Sequence, residues 1–259
     1  MADRQDDLEV GVRQVRGFHK LVQTAGFLCG CCLTAGQTIQ YHLEAAWPLK
    51  RFTPDQLVLL MKVNHSDSAH LAHVKRILVP DCWNLEELLY SPMPNSLEQL
   101  SLENKAIVVD VAAQTFGAYE HGLLVRWGPG SSGDRRHQTP SGTYHLNWHA
   151  RVRVSSENAT WVMPWYFNFS NNLGLGFHQY TLPGRPASHG CIRMLRADAE
   201  WLFQWGESGI LATGGPEIAR SGTVVLVLGK YDFGSAPPWL RPSWWSHKLN
   251  ILLGQTAGN

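Results

Sequence analysis

From residue 104 onward, short runs of apolar and β-branched residues alternate with turn-formers. They fall at 105–111, 115–119, 123–127 and 142–146, each too short for a helix and rich in the residue types that suit a pleated surface. Gly122, Pro129, Gly133 and Pro140-Ser141-Gly142 mark the turns between them. The continuous apolar run 222–228 predicts a central strand. One stretch in this half changes period: at 196–207, Ala199, Leu202, Phe203 and Gly206 share a helical face, and Gly209 can end the helix. A second helix is predicted at 54–64, with Leu57, Leu60 and Met61 on one face and Thr53 as N-cap. The Pro-rich stretch 91–95 is the best domain boundary. The pattern predicts a mainly β (α+β) protein with a small helix-rich segment at 37–101, a strand-rich domain at 102–230 holding one helix, and a Trp/Pro-rich extension at 231–259.

Composition adds that the chain folds: 259 residues with 44% hydrophobic content and 11 Trp suffice for a packed core. A net charge of +1 gives no field to attract nucleic acid or an anionic membrane, so neither is an expected partner of the body. The N-terminus is different. Arg13, Arg16 and Lys20 precede a mostly apolar run from 21 to 35, long enough for a secretory h-region and short for a bilayer span. Within it Leu28-Cys29-Gly30-Cys31 resembles a bacterial lipobox, which would lipidate Cys31, although Cys29 stands where a small residue is usual. Three readings follow for 1–36: a lipoprotein signal, an ordinary cleaved signal or short anchor, or an apolar helix of a cytosolic protein. The first two export the chain to the periplasm or cell envelope, touching membrane only through the N-terminus. Cys82 and Cys191 remain in the body, too few for a disulfide framework, and the expectation is two thiols.

The chemistry concentrates at Ser188-His189-Gly190-Cys191-Ile192-Arg193. A thiol attacks only as thiolate, so Cys191 needs a base. His189 is adjacent but poorly placed to reach it, whereas His178, 13 residues upstream, can return on a strand and loop. Gly190 permits a tight turn that would aim the Gly190 and Cys191 amides at one oxyanion, and Arg193 could hold a substrate carboxylate. A lone buried cysteine is more often inert packing. Zinc held by His178, His189 and Cys191 is the sharper rival, but no fourth ligand with familiar spacing is evident; no metal or cofactor is expected. The aromatic run 161–169 reads equally as a lid over the site or as a core strand, and 237–246 as a clamp on the domain surface.

Residues 188–193 match the signature of YkuD-type L,D-transpeptidases, bacterial cysteine enzymes that remodel peptidoglycan. Other motifs follow in family order: Ile107-Val108-Val109-Asp110 with Gln114, Trp127 to Gly133, Thr139-Pro140-Ser141-Gly142, and His178 as the upstream histidine. The resemblance implies a YkuD-like β-sandwich or barrel-like domain. It further implies Cys191 as nucleophile and His178 as general base, its ring oriented by the following carbonyl. Gly190 and Cys191 would be oxyanion donors, and Arg193, Ser188 and His189 would bind substrate or shape the site. Two departures stand out: the His178 to Cys191 spacing is shorter than usual, and Gln179 replaces a small residue. The implied partners are peptidoglycan stem peptides, with a lipoprotein lysine as one acceptor. A hydrolase or carboxypeptidase of the same fold is the alternative, and a non-catalytic wall-binding module the alternative of another class. Residues 63–80 also resemble the second half of a LysM module.

Overall fold

The computed structural model describes residues 39–83, 86–211 and 218–253. The signal-like segment and Cys31 lie outside them. Contacts divide the chain into two units, Met1–Gln37 and Thr38–Asn259, and only the second is described. Among the described residues, no helix is long and apolar enough to cross a membrane.

The segment before the strand-rich half runs strand, helix, helix, strand: β1 (Tyr41–Ala45), α1 (Pro54–Val63), α2 (Ser68–Leu71) and β2 (Arg76–Pro80). β1 and β2 pair antiparallel from Tyr41 opposite Pro80 to Ala45 opposite Arg76, so the segment is less purely helical than the sequence suggests. Thr53 caps α1 through a full capping box with Gln56. The buried face differs from the expected one: Leu59, Leu60, Lys62 and Val63 are buried, while Leu57 and Met61 are half-exposed. The helix is covered on two sides. Asn64 Nδ2 donates to the carbonyls of Leu60 and Leu78, and its Oδ1 accepts from Leu78 N at 2.8 Å, tying α1 to β2. The buried Lys62 ammonium reaches across to the Trp127 carbonyl at 2.7 Å. These ties make the boundary expected at 91–95 internal: Ser91, Pro92 and Met93 are buried, Met93 completely, and Thr38–Asn259 is one unit.

Among the described residues, nine strands of the strand-rich half form one mixed sheet. In chain order they are β3 (Ala106–Asp110), β4 (Thr115–Glu120), β5 (Leu123–Ser131), β6 (Gly142–His145), β7 (His149–Val154), β8 (Val162–Ser170), β9 (Leu175–Gln179), β10 (Ile192–Met194) and β13 (Val224–Leu228), while β11 (Ile210–Leu211) and β12 (Ile218–Arg220) pair separately. The large sheet runs β6-β13-β3-β4-β5-β10-β9-β8-β7. β13 is interior, flanked by β6 and β3, but second from an edge rather than central. The sheet curls until Tyr144 on β6 meets Phe169 on β8, ring centroids 5.3 Å apart. Inside the curl lie Ile107, Val109, Phe116, Phe167, Phe177, Ile192, Met194, Val225 and Val227, and α3 (Arg196–Trp205) covers them with Ala199 and Leu202. α3 ends at Gly206, earlier than expected, because Gly206 packs against Leu146 and Phe167, where a Cβ would meet atoms at 2.6 and 2.9 Å.

The aromatic run divides between its two readings. Trp165, Tyr166, Phe167 and Phe169 are buried on β8, whereas Trp161 and Met163 face a cleft. The C-terminal Trp239 and Trp245 are buried, Trp239 stacked 4.3 Å from His65 and Trp245 against Tyr41 and Trp127. The extension is therefore a wall of the same unit.

Candidate active site

β9 and β10 run parallel with His178 opposite Arg193 and Phe177 opposite Ile192. Side chains alternate along a strand, so Phe177, Ile192 and Met194 enter the core while His178, Arg193 and Cys191, just before β10, take the other face. Those three line one cleft of about 100 Å³ together with Arg153, Trp161 and Tyr180. Gly190 makes the entry to β10 possible: its φ is +108°, and a Cβ there would lie 2.8 Å from Leu175.

Burial favours the neutral form of both Cys191 and His178. Burial pushes the Cys191 thiol up, while a hydrogen bond from the Gly176 backbone and the Arg153 and Arg193 guanidiniums pull it back. Burial lowers His178 to about 4, with Arg193 adding to the shift and the Gln179 carbonyl opposing it. His178 Nδ1 lies 2.9 Å from that carbonyl, which only accepts, so Nδ1 carries the proton and Nε2 is the basic nitrogen. Gln179 orients the ring through its backbone, which is why a larger side chain at that position leaves the arrangement intact. Cys191 Sγ rests 3.7 Å from the Gly174 carbonyl.

The short His178 to Cys191 loop is held from outside. Leu182 N donates to Asp67 Oδ2 at 2.7 Å, Asp67 N donates to the Leu182 carbonyl at 3.0 Å, and Ser131 Oγ donates to the Arg185 carbonyl at 2.8 Å. Asp67 belongs to the segment before the strand-rich half, which thus supports the loop between His178 and Cys191.

Gly190, Ser188 and His189 each have partners of their own. The Gly190 amide already donates to Ser188 Oγ at 3.0 Å, so in this conformation it is not a free oxyanion donor. Ser188 Oγ in turn donates to the Cys191 carbonyl at 2.5 Å, making Ser188, buried though it touches the cleft, a brace of the turn. His189 is exposed, stacked on His137 at 4.2 Å and tilted against Trp161 at 4.6 Å. Arg193 stays in the cleft, its guanidinium 4.6 Å above the Tyr180 ring. The turn is also braced by Thr139, whose Oγ1 donates to the Gly190 carbonyl at 2.7 Å and accepts from Gly133 N at 3.0 Å.

Sequence reasoning missed Arg153, which lies over the Trp148 and Tyr166 rings and reaches the cleft. The signal was available: Arg151 and Arg153 alternate along 149–154, placing both on one face. It also missed Asp134 and His137, which with His189 bring metal-ligating atoms within 4.8 Å of one another.

Residues 104–227 match the family model of the YkuD L,D-transpeptidase catalytic domain. No curated protein matches the chain. Among solved structures, the L,D-transpeptidase from Stackebrandtia nassauensis is 22% identical, with 50% of this chain and 58% of that one covered and a TM-score of 0.40. The L,D-transpeptidase from Mycobacterium smegmatis is 18% identical, covering 49% and 59%, with a TM-score of 0.39. L,D-transpeptidase 3 from Mycobacterium tuberculosis, bearing a faropenem-derived adduct, is 19% identical, covering 49% and 60%, with a TM-score of 0.38. The chain thus spans under two thirds of these structures' length. Residues 104–227 belong to the YkuD family of L,D-transpeptidase catalytic domains.

Proposed function

We propose that the protein is a cysteine-dependent L,D-transpeptidase of the cell envelope acting on peptidoglycan stem peptides. The observation that carries this reading is Cys191 and His178 on one face of neighbouring strands, lining one cleft. As Sγ attacks the carbonyl carbon between an L- and a D-configured residue, His178 Nε2 takes its proton. The C–N bond then breaks, the leaving amine receives that proton, and a thioester remains on Cys191. An acceptor amine attacks next, gives its proton to His178, and expels the thiolate, which recovers the proton as thiol. The neutral pair makes His178 a general base during attack rather than the partner of a preformed thiolate. Arg153 and Arg193 stabilise negative charge developing on sulfur.

Mass spectrometry of muropeptides incubated with the protein tests the reading. Crosslinked dimers and a released D-amino acid are expected from wild type and neither from Cys191→Ala; the same products from Cys191→Ala would overturn it. Shortened stems without crosslinks would assign a carboxypeptidase. A carbapenem-type β-lactam is expected to add its mass to Cys191.

A further inference from the structure

A second cavity, of about 630 Å³, lies beyond His189 from the reactive cleft. Three segments build it: the loop 134–137, the loop 185–189, and residues 231–237 of the C-terminal extension, beyond the end of the family match at 227. We propose that it is an anion subsite that binds a carboxylate of the acyl acceptor peptide; the acceptor's identity rests on the transpeptidase reading.

Charge is the first argument. Arg135, Arg136 and Arg185 line the cavity and are exposed to it. Its one lining carboxylate, Asp134, is engaged internally: Oδ1 accepts from Arg136 N at 2.8 Å, from His137 N at 2.9 Å, and lies 3.0 Å from His137 Nδ1. Nearby Asp232 is likewise bonded to Gly234 N and Ser235 Oγ. The guanidiniums outnumber these two carboxylates and present planar forks suited to a carboxylate. Arg135 is held in place, donating to the Phe233 carbonyl at 2.8 Å with its guanidinium 5.3 Å above the Phe233 ring.

Position is the second argument. His189 lines both the cleft and this cavity, with Trp161 on the cleft side and His137 on the other. A peptide anchored here by its carboxylate lies across one imidazole from Cys191, so its amine approaches the thioester in a fixed orientation. Pro186, Tyr231 and Pro237 offer apolar wall for its carbon skeleton. The same cluster offers Asp134, His137 and His189 to a cation, but three surrounding guanidiniums oppose one.

Acyl-enzyme preloaded from a stem tetrapeptide is resolved with Nα-acetyl-D-lysine or with its carboxamide. The carboxylate acceptor is expected to show a KM about tenfold lower, and Arg136→Gln/Arg185→Gln to abolish that preference while carbapenem acylation of Cys191 changes less than twofold. Equal KM values in wild type, or a preference that survives the double variant, overturn the proposal. Titration of Cys191→Ala protein with Nα-acetyl-D-lysine, followed by NMR of the His137 and His189 rings, needs no turnover and separates this proposal from the catalytic one. Saturable shifts that vanish when R136Q/R185Q are added support the subsite whether or not the protein transpeptidates, and their absence overturns it. Tighter binding of inorganic phosphate or of zinc at the same rings overturns the carboxylate assignment.

Discussion

At Cys191 burial disfavours the thiolate, and at His178 the same burial disfavours the imidazolium, so the resting pair is uncharged. This has a kinetic signature. An unperturbed histidine base would lose activity below about pH 6.5, whereas His178, lowered to about 4, stays unprotonated well below that. The acid limb of Cys191 acylation is therefore expected near pH 4, read as the rate of β-lactam adduct formation by stopped-flow or mass spectrometry; a limb near 6.5 would contradict a buried neutral base. Both residues were singled out in the sequence, and the structure brings them to one cleft. The bond from the Gly190 amide to the Ser188 hydroxyl was not visible there, because only the turn's geometry decides where that hydroxyl points.

At the scale of elements, the reactive turn is shaped by loops that meet it from far along the chain. The connection between β5 and β6 supplies Thr139, whose hydroxyl joins Gly133 N to the Gly190 carbonyl. Thr139→Val keeps the shape and removes both bonds, leaving a buried amide and carbonyl unpaired. A stability loss of about 2 kcal/mol is expected in urea unfolding, with Cys191 acylation slowed by more than the population of unfolded protein explains. The Thr-Pro-Ser-Gly motif was visible in the sequence, but its bond to the cysteine turn is a contact between residues 51 positions apart. The tight His178 to Cys191 loop was visible too. What holds it, Asp67, lies 115 residues away in a segment with no sequence signal linking it to the site.

Across the whole molecule, a buried charge network joins that early segment to the catalytic half. Asp198, fully buried on α3, accepts from Arg126 Nε at 2.8 Å and Nη2 at 2.7 Å, and lies 3.1 Å from Lys62 Nζ on α1. Asp198→Asn leaves Lys62 and Arg126 without their shared anion, and is expected to cost about 3 kcal/mol in urea unfolding. A second link is proton-sensitive. His65 is buried against Trp239, and burial lowers it to about 3, although the Gln114 backbone works the other way. The folded pKa values of His65 and His178 lie below the unfolded value, so the unfolded chain binds more protons as pH falls. Their contribution to stability is complete above about pH 6.5 and is lost progressively as pH falls toward about 4 and 3, by up to about 1.4 kcal/mol per pH unit for each. His65→Phe keeps an aromatic ring on Trp239 and is expected to flatten the fall of the unfolding free energy between pH 6 and 4 by about half.

Local pattern determined much of this protein by itself. Short apolar and β-branched runs predicted the strands β3 to β6, a continuous apolar run predicted β13, Thr53 was the cap of α1, and the Ser-His-Gly-Cys-Ile-Arg order singled out Cys191, because these are encoded over a few adjacent residues. Tertiary structure decided what depends on residues far apart in the chain meeting in space. Lys62 and Asp198, on different helices, are buried partners; Trp239 and Trp245, read as a clamp on the domain surface, are buried against His65, Tyr41 and Trp127; residues 91–95 read as a boundary and lie inside one unit. The cavity beyond His189 belongs to the same class: its arginines come from two loops and its far wall from the C-terminal extension, and hydrophobic periodicity carries no record of which loops a folded sheet brings together.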